Sequence, residues 1–261
     1  MEDALGSAAR RAVDWLKMYA LPLWADAGFA AGPDYFREAL DFSGKPIAGL
    51  ATRSRVQGRQ MYVYGQAMLL GWFDGREILS RTFQRGYDAF RDADGGYVAS
   101  IGPDGEPRDA RRLAYEQAFA LLGFAWHERV FGSGEAVRKA EALWRWLEER
   151  LASPESGGFL MGLPAATGPR SQNPHMHLFE ACLNWHATTG EAIWLERARG
   201  LFDLFARCFF DRERGVLREF FADDWSPTAA DSDRIDPGHQ AEWIWLLSWY
   251  GSDTGEPVGD Q

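Results

Sequence analysis

The sequence repeats itself about every sixty residues. Four similar turn segments, LDFSGKP, ASIGPDGEP, FLMGLPAATGP and FFADDWSP, end at Pro46, Pro107, Pro169 and Pro227, which are spaced 61, 62 and 58 residues apart. Short strand-forming stretches around Gly, Pro and Asp turns predict small β-hairpins. Because a fixed period of this length is typical of stacked or toroidal arrays, the repeat predicts a ring or a solenoid of helical units.

Two kinds of helical segment lie between the hairpins. The segments that directly follow a hairpin are apolar nearly all round, as expected of inner helices, and the intervening segments carry Arg/Glu stripes typical of outer helices. The predicted inner helices cover 55–72, 111–129, 173–188 and 237–250, and the first outer helix covers roughly 8–24. We expect the first three inner helices to end near the glycines Gly75, Gly132 and Gly190.

This pattern predicts an all-α fold, an (α/α) barrel with short β-hairpins. The sequence 1–261 is expected to form a single domain that contains four helix pairs. An open helical solenoid fits the same pattern.

Composition excludes several classes of function. The formal net charge is -10 and no basic run is long enough to track phosphates, which argues against nucleic-acid binding. The longest uncharged stretch, 60–73, is too short and too polar to span a bilayer, and Asp14 and Lys17 interrupt any signal-peptide core. Cys182 and Cys208 show no metal or redox spacing. These features predict a cytoplasmic protein without membrane contact.

Polar side chains concentrate in the first two turns of the inner helices. Helical spacing places several of them on shared faces: Arg55, Arg59, Tyr62 and Gln66; Asn173, His177, Glu180 and Asn184; and His239, Glu242 and Trp243, with Tyr115 opening the second inner helix. If the inner helices run the same way around a ring, these groups converge at one mouth. Helix N-termini at that mouth would favour negative charge developing in a reaction.

The segment NPHMHLFEA at 173–181 contains two histidines two residues apart. On a helix His175 and His177 point about 200° apart and cannot chelate one ion, so no metal site is predicted. Asn173 fits a helix N-cap, with Pro174 as the first helical residue, and a cap could be its only role. His177 is followed by Glu180 on its own face.

His239 is followed in the same way by Glu242. A neighbouring carboxylate can fix the tautomer of an imidazole and raise its pKa, which suits acid–base chemistry near neutrality. A structural role for either histidine is the alternative.

Four motifs in order carry a family resemblance: RVQGRQMYVYGQA (55–67), YEQAFALLG (115–123), NPHMHLFEACL (173–183) and PGHQAEWIWLL (237–247). With the GGY and GGF hairpins, they resemble the N-acylglucosamine 2-epimerase superfamily, which includes bacterial mannose isomerases and cellobiose 2-epimerases. NPHMHLFEA together with PGHQAEW is most similar to the mannose isomerase branch.

The resemblance implies an (α/α) barrel of six helix pairs that interconverts aldose with ketose, or C2 epimers, of a monosaccharide without metal or cofactor. A histidine would remove the proton next to the carbonyl of the opened sugar. It further implies that His239, with Glu242 beside it, is an acid–base residue, and that Arg59 stabilises the oxyanion. Tyr115, Asn173 and His177 would hold sugar hydroxyls, and Trp243 would help to wall the pocket.

The chain departs from the family in length. Six pairs need on the order of 360 residues, and none of the five histidines matches the second catalytic histidine expected late in the barrel. The chain could be a truncated product, close by self-association through its open edge, or fold as an open arc. The alternatives to an aldose–ketose isomerase are a sugar 2-epimerase and a non-catalytic sugar-binding remnant. A glycoside hydrolase is disfavoured, because Glu180 and Glu242 lie beside histidines rather than flanking a sugar bond.

Overall fold

The computed structural model describes residues 2–165, 168–228 and 234–255. Two parts of the predicted pattern, the turn residues 166–167 and the polar ending from residue 256, lie outside the described residues.

The described residues form four helix pairs, each with an outer and an inner helix. The first pair comprises α1 (Glu2–Trp15), a π turn (Leu16–Ala20), α2 (Leu21–Asp26) and the inner helix α3 (Ser54–Leu69). The second pair comprises α4 (Arg76–Arg81), a π turn (Thr82–Gly86), a 3-10 turn (Asp88–Phe90) and the inner helix α5 (Ala114–Phe131). The third pair comprises α6 (Glu135–Arg150) and the inner helix α7 (Asn173–Thr189), and the fourth comprises α8 (Ala192–Leu204), a π turn (Phe205–Phe209) and the inner helix α9 (Pro237–Thr254). The predicted helix pairs are confirmed.

The inner helices pack closely side by side. At Gly58 of α3 an added Cβ would lie 1.9 Å from the carbonyl oxygen of Phe119 on α5, so only glycine allows this approach. On the other side of α5, the buried indole of Trp185 donates to the Leu121 carbonyl at 2.9 Å and links α7 to α5. The core therefore runs continuously from α3 through α5 to α7.

Short strands tie each repeat to the next. The strands are β1 (Phe29–Ala30), β2 (Tyr35–Phe36), β3 (Thr52–Arg53), β4 (Ser100–Ile101), β5 (Pro107–Asp109), β6 (Arg112–Leu113), β7 (Gly162–Leu163), β8 (Arg170–Ser171), β9 (Phe210–Asp211), β10 (Val216–Leu217) and β11 (Phe220–Phe221). The antiparallel pairs β1–β2, β4–β5 and β9–β10 are local. The pairs β3–β4, β6–β7 and β8–β11 join the strand before an inner helix to the following repeat.

A recurrent amide contact fixes the first turn of the inner helices against these hairpins. Three glutamines each bond to both the N–H and the C=O of one hairpin residue, over 2.7 to 3.1 Å: Gln57 to Phe36, Gln117 to Tyr97 and Gln240 to Leu217. In α7 His175 takes this place, and its Nε2 accepts from the N–H of Phe159 at 2.9 Å. We call these four residues the clamp positions. The sequence analysis did not identify the glutamines.

Two of the three predicted helix stops are confirmed. Gly132 and Gly190 follow α5 and α7 in the left-handed conformation, with φ of 60° and 72°. The prediction for Gly75 is wrong, because α3 ends six residues earlier and Gly71 takes the positive φ of 65°. Gly75 instead directly precedes α4.

Apolar side chains are exposed at both edges of the array. On α9, Ile244 and Trp245 are 69% and 48% exposed, and on the first outer helix Trp15, Met18 and Tyr19 are also exposed. Within the described ranges, no helix combines the length and apolar character needed to cross a bilayer.

Candidate active site

A series of side chains joins the four inner helices near their N-termini. They stand two residues after each clamp position, and we call them the mouth positions: Arg59, Phe119, His177 and Glu242. The Arg59 guanidinium carbon lies 4.3 Å from the Phe119 ring centre, and the Phe119 and His177 rings are 4.5 Å apart. His177 Nδ1 lies 3.7 Å from Glu242 Oε1. The predicted convergence of polar groups from successive helices is thus present in the structure.

Arg59 carries the free positive charge of this site. Its Nη2 donates to the Tyr115 hydroxyl at 2.8 Å, and among the described residues it has no carboxylate partner. Arg55, one turn earlier, differs because its Nη1 lies 2.6 Å from the fully buried carboxylate of Glu116. Burial raises the pKa of Glu116, and the Arg55 charge opposes that rise. Of these two arginines, Arg59 is therefore the one available to an anionic oxygen.

His177 sits between two carboxylates. The predicted contact with Glu180 is confirmed, with His177 Nδ1 3.0 Å from Glu180 Oε2, and both residues are buried. The Tyr115 ring lies 5.2 Å from the His177 ring. Donor atoms of His177, Glu180 and Glu242 all lie within 4.8 Å of one another, a donor set that can ligate a divalent ion. The absence of a metal stays a prediction.

His175 lies on the opposite side of α7. Besides the Phe159 contact, its Nδ1 lies 3.3 Å from the Ser171 carbonyl oxygen, so Nδ1 donates and the ring is neutral. Complete burial lowers its pKa to about 3. The predicted divergence of His175 and His177 is confirmed, and His175 serves the fold.

The predicted N-cap at Asn173 is wrong. Asn173 is the first residue of α7, and the capping position is taken by Gln172, in a helical conformation and without a side-chain cap. The backbone N–H of Asn173 donates to Ser171 Oγ, while among the described residues its own Oδ1 is buried without a hydrogen-bond partner.

The predicted pairing of His239 with Glu242 is also wrong. His239 Nδ1 lies 2.8 Å from Oε2 of Glu219, a buried residue between β10 and β11, while Glu242 turns toward His177. The hydrogen bond that His239 donates to Glu219 raises the pKa of His239. Helical spacing could not reveal Glu219, because this contact is made across the hairpin and not along the helix.

Trp243 does not wall the site. It is 2% exposed, and its ring centre stacks 4.3 Å from Phe205 and 5.5 Å from Phe179. Its Nε1 donates to Gln172 Oε1 at 2.7 Å. Trp243 lies four residues after His239 and so on the same face of α9. One turn further from the N-terminus, however, that face packs against the core and not at the mouth.

Sizeable cavities lie elsewhere on the described part of the chain. One of about 610 Å³ is lined mainly by outer-layer residues, among them Lys139 and Trp146. It gathers no histidine and no group of the mouth series, so it does not compete with the mouth as the candidate active site.

The fold and the mouth series define a helix-pair toroid with a polar site at the N-terminal ends of its inner helices. Residues 35–257 match the family model of N-acylglucosamine 2-epimerase (GlcNAc 2-epimerase), and the chain belongs to this family. A solved cellobiose 2-epimerase from Bacillus thermoamylovorans B4167 shares the fold, with a TM-score of 0.84 over 97% of this chain and 69% of that one, at 19% identity.

Two curated relatives are similar over most of the chain. A mannose-6-phosphate isomerase of Rhizobium meliloti (strain 1021) is 40% identical over 247 residues, which cover 92% of this chain and 63% of the relative. A D-mannose isomerase of Thermobifida fusca is 29% identical over 255 residues, covering 92% and 62%. The chain thus spans a little under two thirds of the length of these relatives.

Proposed function

We propose that the chain is an aldose–ketose isomerase for a mannose/fructose-type monosaccharide. The main support for this proposal is the set of mouth positions. Contacts through Phe119 connect the Arg59 guanidinium on α3 to His177, which lies between carboxylates on α7 and α9. The similarity to a mannose-6-phosphate isomerase and a D-mannose isomerase supports the same activity.

In this proposal His239 acts as the base. With Nδ1 directed to Glu219, its Nε2 is left to take the proton from the carbon next to the carbonyl of the opened sugar. The electron pair of that C–H bond forms a cis-enediolate, whose negative oxygen is stabilised by Arg59. Transfer of the hydroxyl proton from O2 to O1, together with return of the abstracted proton to C1, gives the ketose. Tyr115, Asn173 and His177 hold hydroxyl groups, and Glu242 stays beside His177.

A sugar 2-epimerase is the second candidate, since the family model carries that description. The steps are shared up to the enediolate, and an epimer results when C2 is reprotonated from the opposite face. A glycoside hydrolase is not favoured. Glu180 and Glu242 both approach one imidazole nitrogen, whereas glycoside cleavage needs two carboxylates on either side of the sugar bond.

The test is incubation of purified protein with mannose in heavy water, without added metal, and in parallel with mannose 6-phosphate. The proposal expects fructose, or its phosphate, carrying solvent deuterium at C1. Glucose as the only product would favour the epimerase. Binding of sugar without turnover would favour the remnant. Loss of activity with a chelator would contradict a metal-free reaction and direct attention to His177, Glu180 and Glu242.

We further propose that the chain acts in the cytoplasm and that copies associate through their apolar edges. Ile244 and Trp245 on α9 and Trp15 on the first outer helix leave apolar surface in water, which association would remove. Trp245→Glu should lower the mass measured by analytical ultracentrifugation at equal concentration. Unchanged mass in this variant, or a monomeric parent chain, would contradict association through this edge.

A further inference from the structure

The base proposed above is backed by a buried series of polar side chains that helical spacing did not predict. Trp243 Nε1 lies 2.7 Å from Gln172 Oε1, and Gln172 Nε2 lies 3.1 Å from Glu219 Oε2. The same carboxylate oxygen lies 2.8 Å from His239 Nδ1. Trp243, Gln172 and Glu219 are each no more than 3% exposed, so water does not offer alternative partners.

The direction of these hydrogen bonds is fixed at the tryptophan. An indole N–H can only donate, so Gln172 must present its oxygen to Trp243 and its NH₂ group to Glu219. Glu219 Oε2 then accepts, which leaves His239 Nδ1 to donate to it. The proton of the neutral imidazole is thereby held on Nδ1, and Nε2 carries the free electron pair.

The repeat shows that the fold does not require these residues. The backbone N–H of Gln172 donates to the carbonyl of Glu219, and the same bond joins Ser54 to Ala99 and Ala114 to Met161 in the earlier repeats. Alanine and methionine thus stand in the second and third repeats where the last repeat has a glutamate. In the first repeat this place, two residues after the clamp partner Phe36, is taken by Glu38, which bonds to Arg53 rather than to a histidine. A buried carboxylate is costly unless it is paired, and Glu219 Oε1 has no hydrogen-bond partner in the described part of the chain. Its presence points to a task at His239.

We propose that Trp243, Gln172 and Glu219 form a positioning chain that sets the tautomer and orientation of His239, so that Nε2 is the proton acceptor of the site. The role as base rests on the proposed function, whereas the tautomer is a property of the free protein. In this arrangement a carboxylate, Glu219, orients an imidazole, as carboxylates do in other acid–base sites. The Gln172 amide and the Trp243 indole extend the series into the core.

Other charged groups near His239 act less directly. Asp236 Oδ1 caps α9 and accepts from the backbone N–H groups of Gly238 and His239, and Glu242 lies one turn further along α9. The hydrogen bond to Glu219 is the largest influence raising the pKa of His239, with smaller contributions from the charges of Asp236 and Glu242. Removing Glu219 should therefore change the titration of His239 more than removing Glu242.

The experiment is ¹⁵N-detected NMR titration of the His239 ring in the full chain without sugar. The parent protein should show the neutral ring protonated on Nδ1. Glu219→Met, which copies the residue of the third repeat, should lower the pKa of His239 and populate the other tautomer. Trp243→Phe keeps an aromatic ring but frees the Gln172 amide, and should weaken the tautomer preference with a smaller pKa change.

Trp185→Phe is the matched control, because it also removes a buried indole hydrogen bond, to the Leu121 carbonyl. It should leave the His239 tautomer unchanged even if stability falls. If Trp243→Phe fails to fold, Glu219→Gln tests the proposal instead. This variant keeps the shape of the Glu219 side chain but removes its charge, and it should lower the pKa of His239. An unchanged tautomer and pKa in folded Glu219→Met would overturn the positioning chain. A correct tautomer response without sugar turnover would instead contradict the proposed function alone.

Discussion

His175 and His177 stand two residues apart on one helix, both nearly inaccessible to water, and do different things. His175 faces outward and binds the backbone of a hairpin, while His177 faces the mouth and meets two carboxylates. The clamp positions hold Gln in three repeats and His in one, because each side chain must hydrogen-bond to the backbone of a hairpin residue. The mouth positions hold Arg, Phe, His and Glu. One face of the first turn maintains the fold, and the other is free to carry different chemistry.

The sharpest test of this division is His239→Asn. Losing the proposed acid–base group should reduce turnover by about 10²–10⁴-fold, while the melting temperature changes little because the side chain is partly exposed. Isomerisation assays and thermal melts on the same samples measure both effects. A large drop in melting temperature would break the distinction between the two faces.

Two arginines one turn apart offer the second test. Arg59→Met should lower kcat by about 10²–10³-fold if it stabilises the oxyanion, with little loss of stability. Arg55→Met should lower stability with little effect on kcat, because it leaves the Glu116 carboxylate buried without its counter-charge. Equal losses of activity at equal folded fraction would contradict separate roles.

At the clamp face, His175→Ala should lower the free energy of unfolding by about 1–3 kcal/mol, because the Phe159 N–H becomes a buried unpaired donor. His175→Gln, the residue of the other three repeats, should recover much of that loss. Urea denaturation measures the difference, and turnover per folded molecule should stay near the parent value. Failure of Gln to improve on Ala would show that the clamp positions are not equivalent.

The buried histidines also predict a pH dependence of stability. Folding lowers the pKa of His175 to about 3, so below about pH 6.5 the unfolded chain binds a proton that the folded chain refuses. The free energy of unfolding should fall as pH drops from about 6.5 toward 3. His127, whose pKa burial lowers to about 4, adds a similar slope. His175→Gln should therefore make the decline shallower without abolishing it, and an unchanged slope would contradict this origin.

The period in the sequence was enough to predict the fold, because the inner helices are long, apolar segments separated by hairpin turns. Their predicted bounds differ from the observed ones by at most four residues. The proximity of Arg59, Tyr115 and His177 was also predictable, because helical spacing places residues on shared faces. Glu219 and Gln172 were missed because their contacts cross between repeats. Trp243 was misplaced because helical spacing gives the direction of a side chain but not how deeply it is buried.

Among the described residues, the strand pairs that link successive repeats all adjoin the N-terminal ends of the inner helices. At the opposite end, α5 passes to α6 through Gly132 and Gly134, both with positive φ, and α7 passes to α8 at Gly190. Those connections touch neither the clamp nor the mouth. Peptide tags or reporter domains grafted at residues 132–134 or 190 should therefore leave the proposed sugar chemistry intact, which makes that end suitable for immobilising or labelling the protein.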